Sequence, residues 1–165
     1  MKRDDKNPKT GLIVGKFAPL HKGHQFLIER AFKKMDQLII IVYRCPKEIK
    51  IPLKVRIGWI KKLYPKAIVI AGSKAPLKHG DDPNITRRNI EYIKSLLPGR
   101  VTHVFSSEWY GKLLSKALEA KNVVVDKKRI NFPVSGTVIR ADVEKYKEFL
   151  PELVYQELKK RNLGK

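Results

Sequence analysis

The sequence predicts an α/β protein, a five-stranded parallel sheet with helices on both faces and a C-terminal helical segment. Three observations carry this. Short apolar runs, among them Leu12-Ile13-Val14 and Leu38-Ile39-Ile40-Ile41-Val42, alternate with longer amphipathic stretches, the pattern of βαβ units. The second run is apolar on both faces, as strands covered on both sides of a parallel sheet are. Glycines, prolines and an Asp pair punctuate the intervals.

In chain order, the first strand is expected over Gly11–Phe17 and the helix after it from about Gly23 to Lys34, with Phe26, Leu27, Ala31 and Met35 on one stripe. Gln37–Tyr43 reads as the second strand and Cys45–Ile51 as a loop. Pro52 suits the first turn of a helix that runs to Tyr64 through Val55, Trp59, Ile60 and Leu63. At that spacing Trp59 belongs to the core. A third strand is expected over Ala67–Ala71, then a long loop, Gly72–Asn84, of the kind that often binds ligands. Ile85–Leu97 reads as a helix closed by Pro98-Gly99, Thr102–Phe105 as a fourth strand, Glu108–Ala120 as a helix and Asn122–Val125 as a fifth strand. Asp126–Val134 is a loop. Ser135 caps a short helix, Gly136 to about Ala141, and one or two helices follow around Leu150-Pro151.

The 165 residues suggest one domain, 11–165, behind a flexible tail, 1–10. That tail has no apolar signal-peptide core, and no apolar run approaches the roughly 20 residues that span a membrane. One cysteine, Cys45, cannot form an intrachain disulfide, which favours a reducing, cytoplasmic setting. Thirty-six Lys and Arg against 16 Asp and Glu give a net charge of +20. Such a charge points to an anionic partner, a polyphosphate or a nucleic acid, although lysines spread along the chain also read as a solvated surface.

Two stretches carry chemistry. Gly15-Lys16-Phe17-Ala18-Pro19-Leu20-His21-Lys22-Gly23-His24 joins a strand to a helix through a tight Gly/Pro turn. It brings two histidines to a helix start, where free N–H groups and the positive dipole end attract anions, with Lys16 adding charge. In Val134-Ser135-Gly136-Thr137-Val138-Ile139-Arg140, hydroxyls sit at a second helix start and Arg140 lies about one turn along. Together they suit a polyphosphate ligand. A P-loop is excluded: Gly11 to Lys16 has one spacer too few, and Phe17 stands where Ser or Thr would hold magnesium. No H-E-x-x-H or Cys/His cluster supports a protein-held metal, and His79-Gly80-Asp81-Asp82 reads as a solvated loop.

These paired motifs resemble the HxGH nucleotidylyltransferase superfamily, and within it the NadR-type nicotinamide-nucleotide adenylyltransferase domain. The resemblance runs from Gly11 to about Leu150. It includes Arg56-Ile57-Gly58-Trp59-Ile60, Val104-Phe105-Ser106-Ser107-Glu108 with Tyr110-Gly111, Val125-Asp126 with Arg129, and Phe149-Leu150-Pro151. It implies a Rossmann-like nucleotidylyltransferase fold that joins nicotinamide mononucleotide (NMN) to ATP with magnesium, giving NAD and pyrophosphate. His21, His24, Lys16 and Arg140 would then be catalytic, and Gly15, Phe17, Gly23, Ser135, Gly136 and Thr137 would bind ATP. Arg56 would hold the NMN phosphate, with Trp109 and Tyr110 at the nicotinamide; no residue of the chain is expected to ligate a metal. Many NadR-type domains carry tryptophans in the segment matching Asn84–Ile93, and this chain has none there. The alternatives are transfer to another phosphorylated acceptor (FMN, phosphopantetheine, or a CTP-dependent one) and, further off, a basic nucleic-acid-binding protein on the same fold. A homo-oligomer is left open, and membrane association and the repressor function of NadR-type proteins are not expected.

Overall fold

A computed structural model describes residues 7–45, 49–78 and 82–162. The strands are β1 (Thr10–Gly15), β2 (Gln37–Tyr43), β3 (Ile68–Gly72), β4 (His103–Ser106) and β5 (Lys121–Val124). The helices are α1 (Lys22–Phe32), α2 (Leu53–Leu63), α3 (Pro83–Leu96), α4 (Tyr110–Ala117), α5 (Gly136–Ala141) and α6 (Glu152–Arg161), with a 3-10 turn over Lys147–Phe149. The expected α/β fold is present: one five-stranded, all-parallel sheet in the order β3-β2-β1-β4-β5. β1 is central, and the chain leaves it toward β2 and β3 on one side and toward β4 and β5 on the other. Such a reversal opens a crevice beyond the carboxyl ends of the strands, where ligands of open α/β sheets bind.

The alternation along β2 explains the two layers. Leu38, Ile40 and Val42 join Ile28 and Ala31 of α1, Trp59 and Ile60 of α2, and Val154 and Leu158 of α6 in one core. Ile39, Ile41 and Tyr43 join Ile90 and Ile93 of α3 and Leu114 of α4 in the other. Successive strand side chains point to opposite faces, so a strand buried on both sides must be apolar throughout.

Boundaries shift by one to three residues, which is ordinary for helix and strand ends. At the N-terminus the shift bears on packing. Thr10, expected in the tail, begins β1 opposite Gln37 and is buried. The Lys9 carbonyl accepts from the amides of Asp36 and Gln37, and the Lys9 amide donates to Asp36 Oδ2 at 2.7 Å. The remainder of the expected tail, 1–6, part of the Cys45–Ile51 loop, 46–48, and most of the His79–Asp82 stretch, 79–81, lie outside the described residues.

Trp59 is fully buried, as its helical spacing predicts, and its Nε1–H donates to Glu157 Oε2 at 2.5 Å, tying α2 to α6. Trp59→Ala should therefore cost about 3–5 kcal/mol, read from urea denaturation, through the cavity and the undocked C-terminal helix. A loss below about 1 kcal/mol would contradict this packing role.

Candidate active site

The turn after β1 is where the sequence becomes chemistry. His21 is the N-cap of α1, with extended backbone, and its Nδ1 accepts from the Gly23 amide at 3.1 Å. His24 Nδ1 accepts in return from the His21 amide at 3.3 Å. This is a capping box, built from imidazoles where Ser and Glu are usual. Gly23 is required by contact: a Cβ there would lie 2.9 Å from the His21 ring.

The cap fixes the chemistry of both rings. A neutral imidazole whose Nδ1 accepts must carry its proton on Nε2, so each histidine keeps an Nε2–H as its remaining donor. The rings stack with centroids 3.8 Å apart, and Phe17 lies tilted against His24 at 4.8 Å. Burial, with the Arg129 charge adding to it, lowers the pKa of His21 to about 4. Burial, then His21 and Arg129, holds His24 well below its ordinary range. Both are neutral hydrogen-bond donors at physiological pH.

Around them a cleft of about 480 Å³ opens at the carboxyl edge of the sheet. It gathers Gly15, Lys16, Phe17, His21, Gly23, His24, Ser135, Gly136, Thr137, Arg140, Trp109 and Tyr110, which are all the sequence-predicted site residues except Arg56. On the far side of the turn Ser135 caps α5, its Oγ accepting from the Val138 amide at 3.3 Å. Arg140 Nη1 donates to the Ala18 carbonyl at 2.5 Å, and Nη2 lies 3.4 Å from Thr137 Oγ1. Gly136 permits this approach, since a Cβ would sit 2.7 Å from the Ala18 oxygen.

Arg56 is placed differently from the expectation. It is 2% exposed and does not line the cleft. It donates through Nε to the Ile51 carbonyl at 3.1 Å and through Nη1 to the carbonyls of Tyr43 (2.7 Å) and Lys16 (2.5 Å). The physical reason is helical spacing: Arg56 shares the inward stripe of Trp59 and Ile60, so it lies beneath the turn.

Trp109 is half exposed at the cleft, with Tyr110 edge-on at 5.9 Å. Among the described residues the Tyr110 hydroxyl and Asn89 Oδ1 are buried without a hydrogen-bond partner, and burial raises the Tyr110 pKa to about 12. Tyr43, whose hydroxyl donates to the Asn89 carbonyl at 3.2 Å, and Thr86 complete this wall. Thr86 and Asn89 share the buried stripe of Ile90 and Ile93 on α3, and polar residues on an apolar stripe were the available signal for them. Arg129 is a further cleft residue, its Nη1 donating to the Val134 carbonyl at 2.8 Å and its Nη2 3.5 Å from Glu108 Oε1. Its only sequence signal was its place three residues after Asp126, whose carboxylate accepts from the amides of Ile130, Asn131 and Phe132.

The cytidylyltransferase-like family model matches residues 12–142. The chain belongs to that family. It is 28% identical over 163 residues to the trifunctional NAD biosynthesis/regulator protein NadR of Escherichia coli K12, covering 86% of this chain and 38% of the relative. It is also 42% identical over 57 residues to the phosphopantetheine adenylyltransferase of Fusobacterium nucleatum, covering 34% of this chain and 35% of that one. The chain thus spans well under half the length of the NadR relative. Two solved structures share the fold. NadR in complex with NAD and AMP-PNP has a TM-score of 0.59 at 22% identity, and NadR in complex with NR has 0.64 at 21%. Each covers 87% of this chain and 44% of the solved one. Among the described residues no helix is long and apolar enough to cross a membrane.

The lowered histidine pKa values make a stability prediction. Folding disfavours the charged imidazole, so this contribution is present above the unfolded value near 6.5 and is lost as pH falls toward about 4. His21→Asn keeps a cap acceptor but removes the titration. The fall in Tm between pH 6.5 and 4.5 should be shallower in that variant than in the parent, and equal slopes would contradict the assignment.

Proposed function

We propose that this chain is an adenylyltransferase that moves AMP from ATP to the phosphate of NMN, giving NAD and pyrophosphate. The observation that carries the proposal is the pair of neutral, mutually capped histidines beside Lys16 at the end of β1. The NadR and phosphopantetheine adenylyltransferase relatives support nucleotidyl transfer as the reaction class, and the coverage of the NadR relative favours NMN as the acceptor.

In the proposed reaction an oxygen of the NMN phosphate attacks the α-phosphorus of ATP in line. The bond from that phosphorus to the oxygen bridging to the β-phosphate breaks, and its electrons leave with pyrophosphate. The nucleophile is already an anion, so no base is required. That suits histidines that offer hydrogen bonds and do not take a proton. His21 and His24 would donate Nε2–H to the transferred and leaving phosphoryl oxygens, and Lys16 would set a charge beside the α-phosphate and the incoming phosphate. Ser135, Thr137 and Arg140 would hold the β- and γ-phosphates, with Gly15, Phe17, Gly23 and Gly136 shaping the backbone around them. Trp109 offers an aromatic face to the nicotinamide, with Tyr110 beside it.

Magnesium is implied by this chemistry. Among the described residues no group of three or more His, Cys, Asp or Glu could hold a metal, and the cleft carboxylates Glu108 and Asp126 already have partners. The donor set fits the triphosphate and not a protein-bound cation, so magnesium would enter on the ATP phosphates and supply charge neutralisation there.

Pyrophosphate release should be followed with ATP and magnesium against NMN, its deamidated acid, FMN and phosphopantetheine. NMN should be turned over best, and release with no acceptor would reject the proposal. His24→Ala should lower kcat by about 100- to 1,000-fold, the range for removing one transition-state donor. Unchanged turnover would remove His24 from the chemistry.

A further inference from the structure

Arg56 is a buried cation whose three acceptors come from three different segments. Ile51 precedes α2, Tyr43 ends β2, and Lys16 lies in the turn after β1. One residue further along that turn, Phe17 adopts a left-handed backbone, φ 49°. A non-glycine residue in this region costs about 1–3 kcal/mol and persists only where its surroundings over-determine it. The surroundings here are two guanidinium groups. Arg56 holds the carbonyl before Phe17 from α2, and Arg140 holds the carbonyl after it from α5, each at 2.5 Å. The Phe17 ring then packs on Gly15 and against His24.

We infer that Arg56 is a positioning residue for adenylyl transfer, which fixes the Lys16 peptide and through it the direction in which the Lys16 side chain enters the cleft. Arg56 touches no substrate itself. Its bond to the Tyr43 carbonyl anchors the guanidinium to the end of β2, from which it reaches the Lys16 carbonyl. Lysine in its place would keep the charge but lose the planar fork that reaches carbonyls in different directions. Misplacing a charged group by about 1 Å is enough to lower turnover by about 100-fold.

This inference rests on the proposed reaction, and a double-mutant cycle separates the two. Arg56→Lys, Lys16→Ala and the double variant are compared with the parent in pyrophosphate release from ATP, magnesium and NMN. Arg56→Lys should lower kcat by about 10- to 100-fold and leave the KM for NMN within about twofold. In the Lys16→Ala background the same substitution should change kcat by less than about twofold, because the group it positions is gone. Fully additive effects would make Arg56 structural only, and a rise confined to the KM for NMN would make it a phosphate ligand; either overturns the inference. If thermal melts show that Arg56→Lys does not fold, Arg56→Gln, which keeps amide donors without a buried charge, takes its place in the cycle. The cycle is repeated as AMP-PNP affinity by calorimetry, where non-additivity of at least about fivefold is expected. Should no acceptor release pyrophosphate, the functional proposal fails. The affinity cycle alone then decides on Arg56, additivity overturning the inference and non-additivity sustaining it.

Discussion

The reciprocal cap between His21 and His24 is the interaction on which the cleft depends. It satisfies amides at the start of α1 that would otherwise lack acceptors, and in doing so dictates where the imidazole protons sit. Most helices use Ser, Thr, Asp or Asn for this task, and those shorter side chains lack the second ring nitrogen that an imidazole presents on its far edge. Stacking and burial keep the rings uncharged, because two imidazolium ions 3.8 Å apart in a dry site would repel strongly. The pair therefore offers donors whose supply does not vary across physiological pH.

The positive charge of the protein is divided in a useful way. Most of the +20 lies on lysines and arginines spread along the sequence, where water and salt screen it. Three cations at or beneath the cleft are each bonded to a backbone carbonyl: Arg56, buried under the turn, and Arg140 and Arg129, partly exposed along the cleft. A guanidinium bonded to a carbonyl keeps its full charge, so it can brace the backbone and contribute to the local field together. The exposed pair of Arg129 with Glu108 is weakly held by comparison, as surface ion pairs generally are.

Much of the fold was legible because its signals are local. β2 occupies Gln37–Tyr43 around the apolar run Leu38–Val42, as expected, and Trp59 lies in the core as its helical spacing predicts. The strand–turn–helix of Gly15–His24 and the helix start at Ser135 were readable from glycine, proline and cap residues, and both face one cleft. Arg56 lies beneath the turn and not in the cleft, a placement set by its position on α2 and not by its charge. Spacing of three and four from Trp59 and Ile60 places it inside, and an arginine there needs acceptors that only the folded chain supplies. Thr86 and Asn89 were missed because they are polar residues on the buried stripe of α3 whose partner wall comes from distant Tyr43 and Tyr110. Arg129 sits in a loop with no periodicity, so only the fold reveals that it lies near the histidines.

The central place of β1 bears on how the protein emerges from the ribosome. β2 pairs with β1 within the first 43 residues, but the other edge of β1 waits for β4, whose residues begin at His103. Thr10 and Thr102 complete that seam with paired backbone and hydroxyl bonds across 92 positions. Until β4 has been made, β1 therefore carries one open edge, a template for pairing with other chains. The turn bearing the histidines leads directly off this strand. The candidate site is therefore carried by the strand whose second edge is the last part of the sheet's centre to be covered.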